Sequence, residues 1–166
     1  MLFRSKDLKL RSRQVEQIEQ ATTRPGLPAE VSTVKPSDLP RVTDIEFDRF
    51  SGSIDTDHDE VDDTLRVYLR TLDQRGRFLP AVGYAVLQIV SIPPDGQPVE
   101  IAKQVFPPKD FAEAYRSGIG GTHYTLELPL PTNLGKGSHA VTMKVTYIDG
   151  ATGQSFAAEQ AIKIRQ

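Results

Sequence analysis

The sequence predicts an all-β fold: a seven-stranded, two-sheet antiparallel sandwich with one short helix between the fourth and fifth strands, preceded by an N-terminal helix. After Arg41 the apolar residues recur with a period of two, and turn sequences bearing Gly and Asp separate the alternating segments at sandwich-like spacing. Length supports the same reading, since 166 residues hold one domain of roughly 100–150 residues and an appendage, but not a second core.

Residues 5–21 contain no Gly or Pro and are rich in helix formers, with Ser5 placed as an N-cap, so this segment predicts a helix. Leu8, Val15 and Ile18 fall on heptad-like positions, the pattern of a coiled-coil end through which chains would self-associate, although Arg11 and Thr22 interrupt the seam. In residues 22–40, Pro25, Pro28, Pro36 and Pro40 lie among Ser, Thr and Gly26. Proline fixes φ and biases its predecessor to extended geometry, so this is a semi-extended linker leading into a sandwich over residues 41–166.

The strands are expected at 41–54, 65–72, 83–92, 98–106, 123–130, 138–148 and 155–165. In the second, Leu65, Val67 and Leu69 alternate with Arg66, Tyr68 and Arg70, giving one buried and one wet face. Tyr124, Leu126, Leu128 and Leu130 share one side of the fifth, as do Val141, Met143, Val145 and Tyr147 in the sixth. The third is apolar on both faces and is expected at the centre of a sheet. Reversals fall at 73–76, 93–96, 134–137 and 149–153. Between strands four and five, the prolines opening residues 107–121, the spacing of Phe111, Ala114 and Tyr115, and Gly118 as a stop predict a short helix. That helix would plug one end of the sandwich with Phe111 and Tyr115.

Leu134, Gly137, His139, Val141, Met143, Val145, Asp149 and Gly150 form a lead-in, alternating strand and Asp-Gly turn. This stretch resembles the penultimate strand and hairpin of bacterial immunoglobulin-like and fibronectin type III-like sandwiches. More broadly, an acidic segment ahead of the strand opening Leu65-Arg66-Val67 is similar to planctomycete proteins that join a coiled coil to a C-terminal sandwich. The resemblance implies an envelope-associated, extracytoplasmic setting and no particular activity. The start, Met1-Leu2-Phe3-Arg4, shows no secretory signal, and no run approaches the ~20 apolar residues of a membrane span.

The formal charge of −2 conceals an asymmetry: residues 1–41 carry eight Lys/Arg against five Asp/Glu, leaving twelve against seventeen in the body. An acidic body argues against nucleic acid as a partner. The absence of cysteine removes disulfides, zinc-thiolate sites and cysteine nucleophiles.

The densest chemical feature is the run holding Asp55, Asp57, Asp59, Glu60, Asp62 and Asp63 within residues 55–63. Calcium seeks six to eight oxygens, and alternating aspartates bring carboxylates into one loop, so Asp55, Asp57, Asp59, Asp62 and Asp63 are the candidate ligands. The EF-hand pattern fails, with Glu60 where Gly is needed and Arg66 where Glu is needed. The competing reading is a solvated loop that guards a sheet edge.

His58, His123 and His139 have no local partner at zinc-ligand spacing, no Gly-x-Ser-x-Gly elbow occurs, and the Gly-rich stretch at 117–121 lacks the Lys of a phosphate loop. The chain is therefore expected to be a non-catalytic structural or protein-interaction module, with Arg66, Tyr68 and Arg70 as a candidate contact stripe. The alternative is a calcium-dependent carbohydrate- or surface-binding domain using the acidic loop, although the chain has no Trp for sugar stacking.

Overall fold

The computed structural model describes residues 35–93, 96–134 and 137–166. The N-terminal helix expected at 5–21 and most of the expected linker lie outside these residues. The chain divides into two compact units, Met1–Leu39 and Pro40–Gln166. In the first, Pro36–Asp38 form one 3-10 turn, with the Asp38 carboxylate accepting from the Lys35 N–H at 3.2 Å.

The second unit is built almost wholly of strands: β1 Asp44–Phe47, β2 Gly52–Ile54, β3 Thr64–Leu72, β4 Gly83–Ser91, β5 Val99–Phe106, β6 Tyr115–Gly118, β7 Gly121–Pro129, β8 Ser138–Asp149 and β9 Ser155–Arg165. One helix, α1 Pro108–Glu113, sits between β5 and β6. Two antiparallel sheets result. In the first, β3 lies between β7 and an edge shared by β1 and β2, and β6 closes the far side; the second runs β5-β4-β8-β9. The alternating residues Leu65, Val67, Leu69, Tyr124, Leu126 and Leu128 of the first sheet meet Ala85, Leu87, Ile89, Met143, Val145 and Tyr147 of the second in one buried core.

The described residues contain nine strands where the alternation predicts seven, and each extra strand has a local cause. The segment expected as one strand at 41–54 breaks at residues 48–51. There the Asp48 N–H donates to the Tyr68 carbonyl at 2.8 Å and the Tyr68 N–H donates to the Ser51 hydroxyl at 3.0 Å, pulling a corner onto β3. β1 and β2 therefore pair with different halves of one partner.

The other extra strand, β6, takes residues expected to be helical. α1 opens on Pro108 as expected, but the Ala114 carbonyl accepts from the Thr125 N–H at 2.9 Å and Tyr115 enters the ladder with Tyr124. Sheet pairing thus ends the helix well before Gly118. Phe111 does plug the sandwich: it is fully buried, stacked on Tyr124 with ring centroids 4.1 Å apart and tilted against Tyr147 at 5.1 Å. Tyr115 does not, being 40% exposed on the edge strand.

β4 is central, as expected, between β5 and β8. Only one of its faces enters the core, with Val86, Gln88 and Val90 half-buried on the other. Gly83 opens this strand because a Cβ there would overlap the Ile148 carbonyl and lie 2.5 Å from the Tyr147 ring. The turn at 73–76 is fastened by Asp73, whose carboxylate accepts from the N–H groups of Arg75 and Arg77 and from the Arg77 guanidinium at 2.7 Å. The Arg77 side chain and these backbone donors hold Asp73 down to about 2.

Candidate functional site

Two regions of the sandwich hold the residues that sequence reasoning singles out. The first is the acidic loop between β2 and β3. Asp55 organises it: one carboxylate oxygen accepts from His58 N–H at 2.6 Å and Asp59 N–H at 3.3 Å, the other from Glu60 N–H at 2.9 Å. His58 and Glu60 both adopt positive φ, 65° and 73°, and so fold the loop back on itself. As a result, two of the five candidate aspartates, Asp59 and Asp62, turn away from the others. Asp59 turns to accept from the Val61 N–H at 2.9 Å. Asp62 is buried toward β9, accepting from the Ser53 hydroxyl at 2.7 Å and the Arg165 N–H at 2.8 Å.

What the loop does converge is Asp55, Asp57 and Asp63, each with a carboxylate oxygen within 4.8 Å of the others. Asp63 accepts at one oxygen from the Thr56 hydroxyl at 2.5 Å and the Thr56 N–H at 3.1 Å, while its other oxygen, Oδ1, is buried without a hydrogen-bond partner. The three carboxyls differ electrostatically. Partial desolvation opposes the charge on Asp55, but the Glu60, His58 and Asp59 N–H donors outweigh it and lower its pKa. The Thr56 hydroxyl lowers that of Asp63. Asp57 moves the other way, raised by desolvation and by the negative charge of Asp59. Three convergent oxygens could hold a metal ion, and a calcium ion would complete its shell with backbone carbonyls or water.

The second region is the outer face of the first sheet. The stripe Arg66, Tyr68 and Arg70 lies there, half-buried, and each member has a cross-strand neighbour. Arg66 pairs with Glu127 at 2.7 Å and Arg70 with Glu46 at 2.6 Å, while Tyr68 meets His123 edge-to-face at 4.8 Å. The two arginines are therefore neutralised on the sheet surface. Tyr68 instead joins residues that the strand pattern does not single out: with Asp48, Phe50, Gly120 and His123 it lines a recess of about 320 Å³. The corner at 48–51 stands on one side of this recess and the β6-β7 hairpin on the other.

Phe50 is 69% exposed and Ile119, beside Gly120 at the hairpin tip, 111%; they are the most exposed large apolar side chains described. The Arg49 guanidinium lies 4.7 Å from the Phe50 ring centroid. One sequence signal was available for Ile119, an apolar residue inside a Gly-rich hairpin. Phe50 had none, because reading 41–54 as one strand hides its corner.

The three histidines occupy separate places, His58 in the acidic loop, His123 in β7 and His139 at the start of β8. Among the described residues the Asp55, Asp57 and Asp63 group is the candidate metal cluster. No described helix is long and apolar enough to cross a membrane. The sequence matches no protein-family model and no curated protein.

Proposed function

We propose that this chain is a non-catalytic protein-interaction module, an immunoglobulin-like sandwich that binds through the outer face of its first sheet. The observation that carries this reading is the placement of Phe50 and Ile119. These two side chains, contributed by turns distant in sequence, contribute little apolar burial to the fold; Phe50 lines one recess with Tyr68 and His123, and Ile119 adjoins Gly120, which lines the same recess. Exposed aromatic and aliphatic side chains around a pre-formed depression are characteristic of contact surfaces. The strand order supports the immunoglobulin-like kind, since an edge-β3-β7-β6 sheet facing β5-β4-β8-β9 follows the A-B-E-D and C′-C-F-G arrangement. Residues 1–40 serve in this reading as a carrier, with self-association through Leu8, Val15 and Ile18.

The test is selection of peptides from a random display library on the immobilised full chain, with binders mapped by backbone amide shifts. Binders centred on Tyr68 and His123 and lost in Phe50→Ala or Ile119→Ser are expected. Binders centred on β4 and β8 of the other sheet, unaffected by those substitutions, would remove the assignment.

A second reading, calcium-dependent attachment to a carbohydrate or surface, is favoured by one feature, the buried and unpartnered Asp63 Oδ1 beside Asp55 and Asp57. A divalent ion there would screen three like charges, so millimolar calcium should raise the melting temperature by a few degrees over a chelator control at equal ionic strength. Equal melting temperatures, or an equal shift in Asp63→Asn, would remove it.

A further inference from the structure

The geometry points to a ligand class for the sheet-face recess: we infer that it seats a proline-rich, polyproline II segment carrying a basic residue. This inference rests on the reading of that face as the contact surface. The choice of ligand follows from what the recess offers and withholds.

Around the recess its floor strands have little hydrogen-bonding capacity to give. At Tyr68, β3 is paired with β7 on one side and bonded to the 48–51 corner on the other, and at His123, β7 is paired with β6. A partner cannot add here as a strand; it has to bind through side chains while its own backbone stays hydrated. The polyproline II helix does this, because its backbone makes no internal hydrogen bonds, remains fully solvated and loses little entropy on docking.

The surfaces such a segment seeks are also present. Proline ridges pack into aromatic-walled grooves, and here Tyr68 and His123 stand at 79° to one another with Phe50 beside them. The corner that carries Phe50 is fixed in advance by its bonds to Tyr68 and by the buried Ser51. At about 320 Å³ the recess lies at the small end of ligand pockets, suited to a few side chains of a segment.

Charge complementarity supplies the basic residue. The arginines on either side of Tyr68 in β3 are spoken for, Arg66 by Glu127 and Arg70 by Glu46. Asp48 is the one carboxylate lining the recess, and among the described residues it enters no ion pair; its Oδ1 accepts from the Phe50 N–H at 3.1 Å. A Lys or Arg flanking the prolines would meet this carboxylate at the rim, with the Tyr68 ring adjacent for cation–π contact, the Phe50 ring being already faced by the Arg49 guanidinium.

The experiment titrates the full chain with fluorescein-labelled peptides and reads anisotropy and amide shifts. The reference peptide carries an arginine beside a Pro-x-x-Pro core. One control replaces the prolines with alanine and another the arginine with glutamine. The reference should bind with shifts centred on Tyr68 and His123. The alanine control should bind roughly tenfold more weakly, and the glutamine control several-fold more weakly. Asp48→Asn should weaken the reference peptide several-fold and leave the glutamine control unchanged, the signature of one shared contact. Phe50→Ala and Ile119→Ser, both at exposed positions, should weaken all peptides.

Equal binding of the reference and alanine peptides would overturn the inference, as would indifference of the reference peptide to Asp48→Asn. If proline-free peptides or a soluble glycan bind at Tyr68 and His123 while the reference peptide does not, the ligand class falls and the contact surface stands. If display-selected binders and the reference peptide all leave the face unperturbed, both fall.

Discussion

In the acidic loop, Asp55 gathers three backbone N–H groups, Asp62 fastens β2 to β9, and Asp59 caps its own turn. On the outer face of the first sheet, by contrast, Phe50 and Ile119 leave most of their surface in water. The loop is the conspicuous feature of the sequence, yet most of its carboxylates are consumed in holding the chain's own backbone. The recess is inconspicuous in sequence, and its residues do little that folding requires. A dense run of one residue type first reports local backbone chemistry; a binding surface is better sought where side chains from distant segments meet without contributing to the core.

The contrast is open to attack, first through a pair of phenylalanines. Phe111→Ala should lose about 3–5 kcal/mol in urea unfolding, because the ring is enclosed between Tyr124 and Tyr147. Phe50→Ala, the same change of side chain, should stay within ~0.5 kcal/mol. A comparable loss in Phe50→Ala would make that ring a folding residue and break the contrast.

Next in size is Asp62→Ala. It strands the Arg165 N–H and leaves the Ser53 hydroxyl only the Lys163 carbonyl to bond, and about 1–3 kcal/mol should disappear from the same measurement. An unchanged midpoint would mean that the acidic run contributes nothing to folding after all.

A smaller effect sharpens the electrostatics within the loop. Asp57 has a raised pKa, so its charge opposes the folded state at neutral pH, and that opposition is relieved as pH falls through its folded value. Asp55 and Asp63 are lowered; their stabilisation is full above the ordinary carboxyl value of 3.8 and is lost as pH falls through their folded values. Asp57→Asn should therefore raise the melting temperature at pH 7 by about 1–2 °C, with the gain vanishing once the wild-type Asp57 is protonated. A gain that persists in acid would assign the effect to something other than charge.

The smallest effect is the most diagnostic for the recess. Ile119→Ser should leave stability within ~0.5 kcal/mol while removing binding at the sheet face. Loss of binding together with stability would turn the hairpin tip into a structural element.

By itself the sequence determined the all-β class, the faces of β3, β7 and β8, the central place of β4 and the plugging role of Phe111. These follow from local rules, because a period of two sends alternate side chains to opposite faces and the apolar face must leave water. Tertiary structure alone decided where pairing outcompeted local preference. β3 took two short partners where residues 41–54 read as one strand, and β7 drew Tyr115–Gly118 out of a helical pattern into a strand. Short-range bonds within the acidic loop narrowed the five candidate aspartates to Asp55, Asp57 and Asp63, whereas tertiary packing brought Phe50 to Tyr68 and His123. The tertiary choices depend on hydrogen bonds and contacts between residues far apart in the chain, which no local period records.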